Sequence, residues 1–448
     1  MLKKLLIIQK DGPYFLFETL QVLERFHSSL KDFEITVHAN TNDIKAISNE
    51  ITPMMKGLTS DVSIILGMEF DLSANLSMDE SSWDLHAAIK STHKVGPYRT
   101  GGELILNDLW STYLLTLKAR APFMTFHLQD IYKNILGIRS CQAEVSPQGH
   151  FNQIIYGMSS PNLFSPAEQE SFLARLTKEC PGTILKDVSE IDLIEDVSRT
   201  LYIGPATLEA LKFCEAGGRG IFLTSSFQGF NLLPSRGKHL LISSRGEQFH
   251  ANPLLKLIDY EIQDKTRIDC PYSVYSFDHE SFNGTYLQCH TSSDANYPFY
   301  QAHLVLWNFL LNLSDVNLEI SRCSSTQIEL LSFQHQILSK LIRLHDYSMS
   351  SADAIYAEAK SDLAVAEKIQ GHINHLLEIE SVSEKLSASH AFLRPFLDFY
   401  RLRRSQIPGT SLLEQSQANL IVYAEEHQAL IALQELFSVT LRKNEVNI

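Results

Sequence analysis

From Lys4 to about Ser243 short apolar strand runs alternate with amphipathic helical runs, and from about Tyr300 the strand runs stop. Lys4–Gln9 reads as a buried strand, Phe15–Phe26 has helical spacing, and Glu34–Ala39 alternates as a strand. Asp61–Leu66 and Asp71–Asn75 are further short apolar runs, each opening on an aspartate. Strand–helix–strand order with short connections implies a parallel sheet covered by helices. Right-handed crossovers then set the loops that follow the strands along one edge, where ligands bind in such sheets.

A second block of the same kind begins near residue 150. Phe151–Tyr156 is a strand, Gly157-Met-Ser-Ser-Pro161 a loop, and Pro166–Lys178 a helix with proline in its first turn. Thr183–Leu185, Arg199–Ile203, Gly220–Leu223 and His239–Ser243 supply more strands. The remainder reads as helices: Gln327–Tyr347, Ala391–Arg403 and Leu412–Leu441, with Pro408-Gly409 as a turn. Ile355, Ala359, Leu363, Ala366, Ile369, Ile373 and Leu376 form an amphipathic stripe at intervals of 4, 4, 3, 3, 4 and 3. Such stripes bury against each other as a bundle. The functional alternative is an appendage that binds a protein partner or forms a homo-oligomer.

A chain of 448 residues exceeds one core and divides as 1–145, 146–315 and 316–448. A net charge of −14 argues against a nucleic-acid binder, which needs a basic footprint. The acidic balance also disfavours loose attachment to an anionic membrane, a local basic patch aside. The six cysteines form no Cys-x-x-Cys pair, so they read as reduced thiols. Cys270, His279, Cys289 and His290 lack metal-site spacing, and no Asp-x-Asp motif supports a metal. The first nine residues are too short for a signal peptide, and no apolar run reaches membrane-span length. A cytoplasmic protein, or one peripheral at the inner membrane face, is expected.

Ligand chemistry concentrates in Leu201-Tyr-Ile-Gly-Pro-Ala-Thr-Leu-Glu-Ala-Leu211, Gly217-Gly-Arg-Gly-Ile-Phe-Leu-Thr224 and Gln228-Gly-Phe-Asn231. A helix opening at Thr207 offers free N–H groups and a positive dipole end to a phosphate. Glu209, in the first turn, can accept from ribose hydroxyls. The plain alternative makes Thr207 a helix cap and Glu209 a dipole partner. The run resembles the donor-binding segment of GT-B glycosyltransferases, on which Gly204, Thr207, Glu209, Ala210, Gln228 and Asn231 fall.

Residues 1 to about 250 resemble the ADP-heptose:lipopolysaccharide heptosyltransferase family, a GT-B group, although the Gly204–Glu209 region looks more like the UDP-sugar branch of that superfamily. The matching stretches are Leu5-Leu-Ile-Ile-Gln-Lys-Asp-Gly12, Asp71-Leu-Ser-Ala-Asn-Leu-Ser77, Val95-Gly96-Pro-Tyr98, Asn107-Asp108-Leu-Trp110-Ser-Thr-Tyr113, Phe126-His127-Leu-Gln-Asp130-Ile-Tyr132 and Gln153-Ile-Ile-Tyr-Gly157-Met-Ser159-Ser160. The resemblance implies two Rossmann-like domains of GT-B type facing across a cleft, with the all-α C-terminal region outside it. It implies a nucleotide-sugar donor held by Gly157, Ser159, Ser160, Gly204, Thr207, Glu209, Gln228 and Asn231. An acceptor would meet Asn75, Asp108, His127 and Asp130. Each of these four reads equally well as a structural hydrogen-bonding group, and His127 as a packed histidine.

The sequence departs from the family where chemistry is done. The family's Gly-(x)-Gly-Asp loop, whose Asp is its candidate base, is replaced by Asp11-Gly12-Pro13. Asp11 or Glu18 would take that role. No cation follows Ser160, which leaves Arg219 or Lys238, and the family's Asp-Thr-Gly…His loop becomes Gly204-Pro205-Ala206…Glu209. The expected activity is inverting, metal-independent and cofactor-free sugar transfer to a glycan, lipid-linked glycan or protein. The alternative is a catalytically degenerate nucleotide-sugar sensor or scaffold acting through its helical tail.

Overall fold

Strand β1 (Lys3–Ile8) is the axis of the first sheet: Leu5, Leu6, Ile7 and Ile8 are all fully buried. Burying each such side chain contributes about 1.5–3 kcal/mol. The structure is a computed structural model. It describes residues 2–47, 55–118, 126–138, 151–157, 163–179, 183–224, 239–244, 248–251, 254, 272–278, 286–289, 325–358, 381, 394–407 and 412–445. The chain divides into two compact units, Met1–Ser111 with Met124–Tyr297, and Thr112–Phe123 with Pro298–Ile448.

In the first unit β1 leads through α1 (Pro13–Arg25) and α2 (His27–Leu30) to β2 (Phe33–His38). There follow α3 (Thr41–Ala46), β3 (Met55–Thr59), α4 (Val62–Leu66), β4 (Glu69–Asn75), α5 (Glu80–Ala88) and β5 (Lys90–Val95). The five strands are parallel in the order β3-β2-β1-β4-β5. The apolar run at Asp61–Leu66 is therefore a helix. Asp61 accepts from the Ser63 backbone N–H at 2.8 Å and so caps it. Only Ile65 of that helix is buried, while Val62, Ile64 and Leu66 face outward.

The loop after β5 depends on Gly96. Its φ is +83°, and a Cβ there would sit 2.0 Å from the Asn75 carbonyl oxygen. Both the conformation and the space exclude a side chain. A hairpin, β6 (Tyr98–Thr100) and β7 (Glu103–Ile105), then precedes α6 (Leu109–Lys118) and α7 (Leu128–Ile135).

The second sheet starts at β8 (Gln153–Tyr156), with α8 (Pro166–Glu179), β9 (Ile184–Asp187), β10 (Thr200–Gly204), α9 (Leu208–Glu215), β11 (Arg219–Thr224) and β12 (Leu240–Ser243). Those strands are parallel; β13 (Ser273–Asp278) and β14 (Tyr286–Cys289) extend the sheet antiparallel, in the order β14-β13-β12-β11-β10-β8-β9. Every residue of β10 is buried. Ile154, Phe172, Leu201, Ile203, Ile221, Phe249 and Val274 share one core.

The second unit takes in α6 from Thr112 onward and holds α10 (Ser325–Glu358), α11 (Arg394–Ser405) and α12 (Leu412–Glu445). In α10 the buried positions include Gln327, Leu331, Gln334, Leu338, Leu341 and His345, the alternating four-and-three spacing of a coiled-coil seam. The seam meets α12 antiparallel, since His335 lies 2.8 Å from Ser438 and Gln434 donates to Ser339 at 2.7 Å. Arg403 and Arg404 of α11 pair with Glu425 and Glu426 of α12. Of the predicted stripe, Ile355 falls in α10 and the rest, with Pro408-Gly409, lies outside the described residues. No described helix is long and apolar enough to cross a membrane.

Candidate functional site

In open α/β sheets a crevice forms where the strand order reverses, beyond the C-terminal ends of the two strands concerned. In the first sheet those strands are β1 and β4, and in the second β8 and β10. Each end carries residues singled out by the sequence.

At the first switch point the polar residues form one network. Gln9, directly after β1, is fully buried. Its Oε1 accepts from the Asp11 backbone N–H at 3.0 Å. Its Nε2 donates to the Leu76 carbonyl at 3.1 Å and to the Tyr132 hydroxyl at 2.8 Å. Asp11 reaches across to the loop after β4, where its carboxylate accepts from Ser77 Oγ at 2.9 Å and Met78 N at 2.8 Å. Burial pushes the Asp11 carboxyl above its ordinary range, and the Met78 and Ser77 hydrogen bonds work against that rise. Asp11 is only half-buried, beside the N-terminus of α1, whose Gly12 cap has no side chain to offer.

Glu18 is elsewhere. It lies within α1, as the helical spacing of Phe15–Phe26 places it, and is fully buried there. Gln129 of α7 donates to its Oε2 at 2.7 Å, Tyr14 also hydrogen-bonds the carboxylate, and Arg25 Nη1 reaches Gln129 Oε1 at 3.5 Å. Burial first, and then the carboxylate of Glu215 at the end of α9, hold Glu18 well above the usual carboxylate range. A proton therefore rests on this acid over a wider pH range than on an exposed glutamate.

The four acceptor-side residues are all engaged internally. Asn75 is buried; its Nδ2 donates to Ser82 Oγ and to the Pro97 carbonyl, each at 2.9 Å, and its Oδ1 accepts from Ser77 N at 3.0 Å. Asp108 caps α6, accepting from the Ser111 N–H at 2.8 Å and the Ser111 hydroxyl at 2.5 Å. His127, fully buried, caps α7, its Nδ1 accepting from Gln129 N at 3.1 Å. Asp130 pairs with Lys133 one turn on, at 3.3 Å. Asn75 joins the loops after β4 and β5, Asp108 also hydrogen-bonds the Gly96 backbone, and the His127 and Asp130 contacts named here are local to α7.

At the second switch point two glycines let the loops close on each other. A Cβ on Gly204 would lie 2.7 Å from the Gly157 carbonyl oxygen and 2.6 Å from the Tyr202 hydroxyl. The Tyr202 hydroxyl donates to the Pro205 carbonyl at 2.7 Å, and Thr207 also hydrogen-bonds it. Thr207 is the cap of α9, its Oγ1 accepting from Ala210 N at 3.2 Å. Glu209 is exposed on the first turn of that helix. The helix thus starts at the switch point with an exposed acid in its first turn. Ser159, Ser160, Gln228, Asn231 and Lys238 lie outside the described residues.

Arg219 opens β11, and its guanidinium lies 5.7 Å from the ring of Phe151, the residue before β8 begins. Both mark the N-terminal edge of the sheet, opposite the switch point, so Arg219 does not border that crevice. No group of three or more His, Cys, Asp or Glu suited to a metal occurs among the described residues. Gln9, Tyr132 and Tyr202 were not singled out by the sequence. A glutamine ending the apolar run Leu5–Ile8 was the available signal for the first.

No protein-family model and no curated protein matches the chain. Among solved structures it is similar to the E. coli heptosyltransferase WaaC with ADP, at 9% identity over 57% of this chain and 99% of that one, with a TM-score of 0.37. The same enzyme with ADP-2-deoxy-2-fluoro heptose gives 9% identity, coverage of 58% and 99%, and a TM-score of 0.36. A glycosyl transferase family 9 protein from Veillonella parvula gives 10% identity, coverage of 59% and 98%, and a TM-score of 0.34.

Proposed function

We propose that this chain is a GT-B glycosyltransferase that moves a sugar from a nucleotide-diphosphate donor to a hydroxyl of a glycan, lipid-linked glycan or protein, with inversion and without a metal. The observation that carries the reading is the pair of switch points in one unit. One presents a half-buried aspartate, and the other presents a capped helix start that follows two close-approaching glycines. Asp11, half-buried at the crevice and with its carboxyl raised by burial, is the group suited to accept the acceptor proton. The acceptor oxygen then bonds to the anomeric carbon from the opposite face. The bond to the diphosphate breaks, and the nucleotide diphosphate leaves with the electron pair. The N-terminus of α9 meets its charge. Glu18, enclosed by α1 and α7, is better suited to the interior than to contact with an acceptor.

A second reading, a nucleotide-sugar sensor or scaffold, draws on one observation. Thr207 already serves Ala210 N and Tyr202, so its hydroxyl orders the loop in the free protein. Calorimetry against ADP-, UDP-, GDP- and CMP-sugars, using wild type and Thr207→Val/Glu209→Ala, tests both readings. Binding of one nucleotide class that the double variant loses supports the donor site. Binding with no turnover in the presence of acceptor extracts favours the sensor. Absence of binding to all four overturns both.

A further inference from the structure

We propose that Gln9 and Tyr132 are positioning residues for Asp11, fixing its carboxylate at the mouth of the first switch point. This rests on the glycosyl-transfer reading of that aspartate. Three elements meet in the Gln9 amide. It takes the Asp11 backbone N–H, gives one hydrogen to the loop after β4 at Leu76, and gives the other to Tyr132 on α7. The loop after β4 in turn holds the Asp11 carboxylate through Ser77 and Met78. Asp11 is therefore gripped at its backbone by Gln9 and at its carboxylate by the loop that Gln9 anchors. Loss of the amide would release both grips together.

Tyr132 completes the arrangement. Its hydroxyl is the acceptor that orients the Gln9 amide, and its phenol lies in the electric fields of both Asp11 and Glu18. A fully buried Gln–Tyr pair is an uneconomical way to fill space. Apolar side chains of the same size would pack there with no polar group to satisfy. Here the pair stands at the end of a strand whose preceding four residues are all apolar and buried, where a ligand is expected. Reacting groups tolerate little displacement, and a misplacement of roughly 1 Å can cost about 10²-fold in rate.

The test uses the full chain, with Tyr132→Phe removing one oxygen and Gln9→Met removing the amide at nearly constant volume. Thermal unfolding identifies which variants fold. The readouts are kcat and KM for the donor found by calorimetry, the pH profile of kcat/KM, and the titration of the Asp11 carboxyl by carbon NMR. The expected result is a kcat lower by about 10- to 100-fold, with the donor KM within about twofold of wild type. The acid limb and the Asp11 titration both move upward, because the carboxylate loses its ordered donors. An unmoved Asp11 titration in both folded variants overturns the proposal, as does an unchanged kcat. A wild type that turns over no nucleotide-sugar sinks the transfer reading instead. The Asp11 titration then decides the positioning alone: an upward shift supports it and no shift refutes it.

Discussion

Ser77 donates its hydroxyl to the Asp11 carboxylate at 2.9 Å across the gap between β1 and β4, and so ties together the two loops that border the first switch point. The two residues are far apart in sequence and have no common secondary element. The parallel register of β1 with β4, in which Ile8 is opposite Asn75, brings their loops together. Ser77→Ala removes one charge-assisted hydrogen bond from a buried position and is expected to destabilise the protein by about 1.5–3 kcal/mol. Urea unfolding measures this, and a change below about 0.5 kcal/mol contradicts it.

Gly96→Ala meets two obstacles, the positive φ and the Asn75 carbonyl 2.0 Å from the new methyl group. The left-handed conformation costs an alanine roughly 1–2 kcal/mol, and relief of the clash must move the loop after β5. A loss of about 3 kcal/mol or more is expected in urea unfolding. Gly101→Ala is the control, because its φ is +62° with open space around the site. It should cost only the conformational part.

His86 is buried between the Ser73 hydroxyl at 2.9 Å and the Pro97 carbonyl at 3.1 Å. Burial lowers its pKa from 6.5 to about 4. The unfolded chain takes up the proton first as pH falls, so this contribution to stability is complete above pH 6.5. It declines between 6.5 and about 4, by about 3 kcal/mol in all. The difference in stability between wild type and His86→Gln, measured across that window, should shrink as pH falls. A difference independent of pH refutes the assignment.

Glu18 has the opposite sign. Its folded carboxyl is raised by burial and by Glu215, so the folded state retains the proton where the unfolded state has lost it. The penalty for an ionised Glu18 exists above its folded pKa and disappears as pH falls through that value toward 4.5. Glu18→Gln, which imitates the neutral acid and keeps the Gln129 contact, should raise stability at pH 8 and leave it nearly unchanged at pH 5. Destabilisation at pH 8 would mean that the ionised form is the favoured one.

Thr207→Val keeps the shape of the α9 cap but removes its oxygen. The expected cost is about 1 kcal/mol in stability, together with weaker nucleotide-sugar binding. Serine at this position should restore both, since its hydroxyl can still accept from Ala210 N. Failure of serine to restore binding would assign Thr207 to packing.

The strands could be read from the sequence because a buried parallel strand is written locally, as in Leu5–Ile8 and Leu201–Ile203. Asp61–Leu66 was ambiguous, since a short apolar run suits either a strand or a helix, and the Asp61–Ser63 cap decided it. Thr207 as a cap and His127 as a packed residue were also legible, because each depends on its immediate neighbours. Glu18 was not. Its helical spacing suits an exposed face, and only the arrival of α7 through Gln129 encloses it. Gln9 and Tyr132 were invisible for the same reason, since their bond joins residues 123 apart. Arg219 was recommended by its loop, yet the direction of β11 carries it to the other edge of the sheet.

Asp11 as the base is tested most directly by release of nucleotide diphosphate from a panel of nucleotide-sugars, measured side by side for wild type and Asp11→Asn with acceptor extracts present. Wild type is expected to turn over one nucleotide class, with donor binding retained and turnover reduced at least about 10²-fold in Asp11→Asn. Equal turnover by the two proteins would contradict the role given to Asp11. No binding and no turnover of any donor would contradict the glycosyltransferase reading itself.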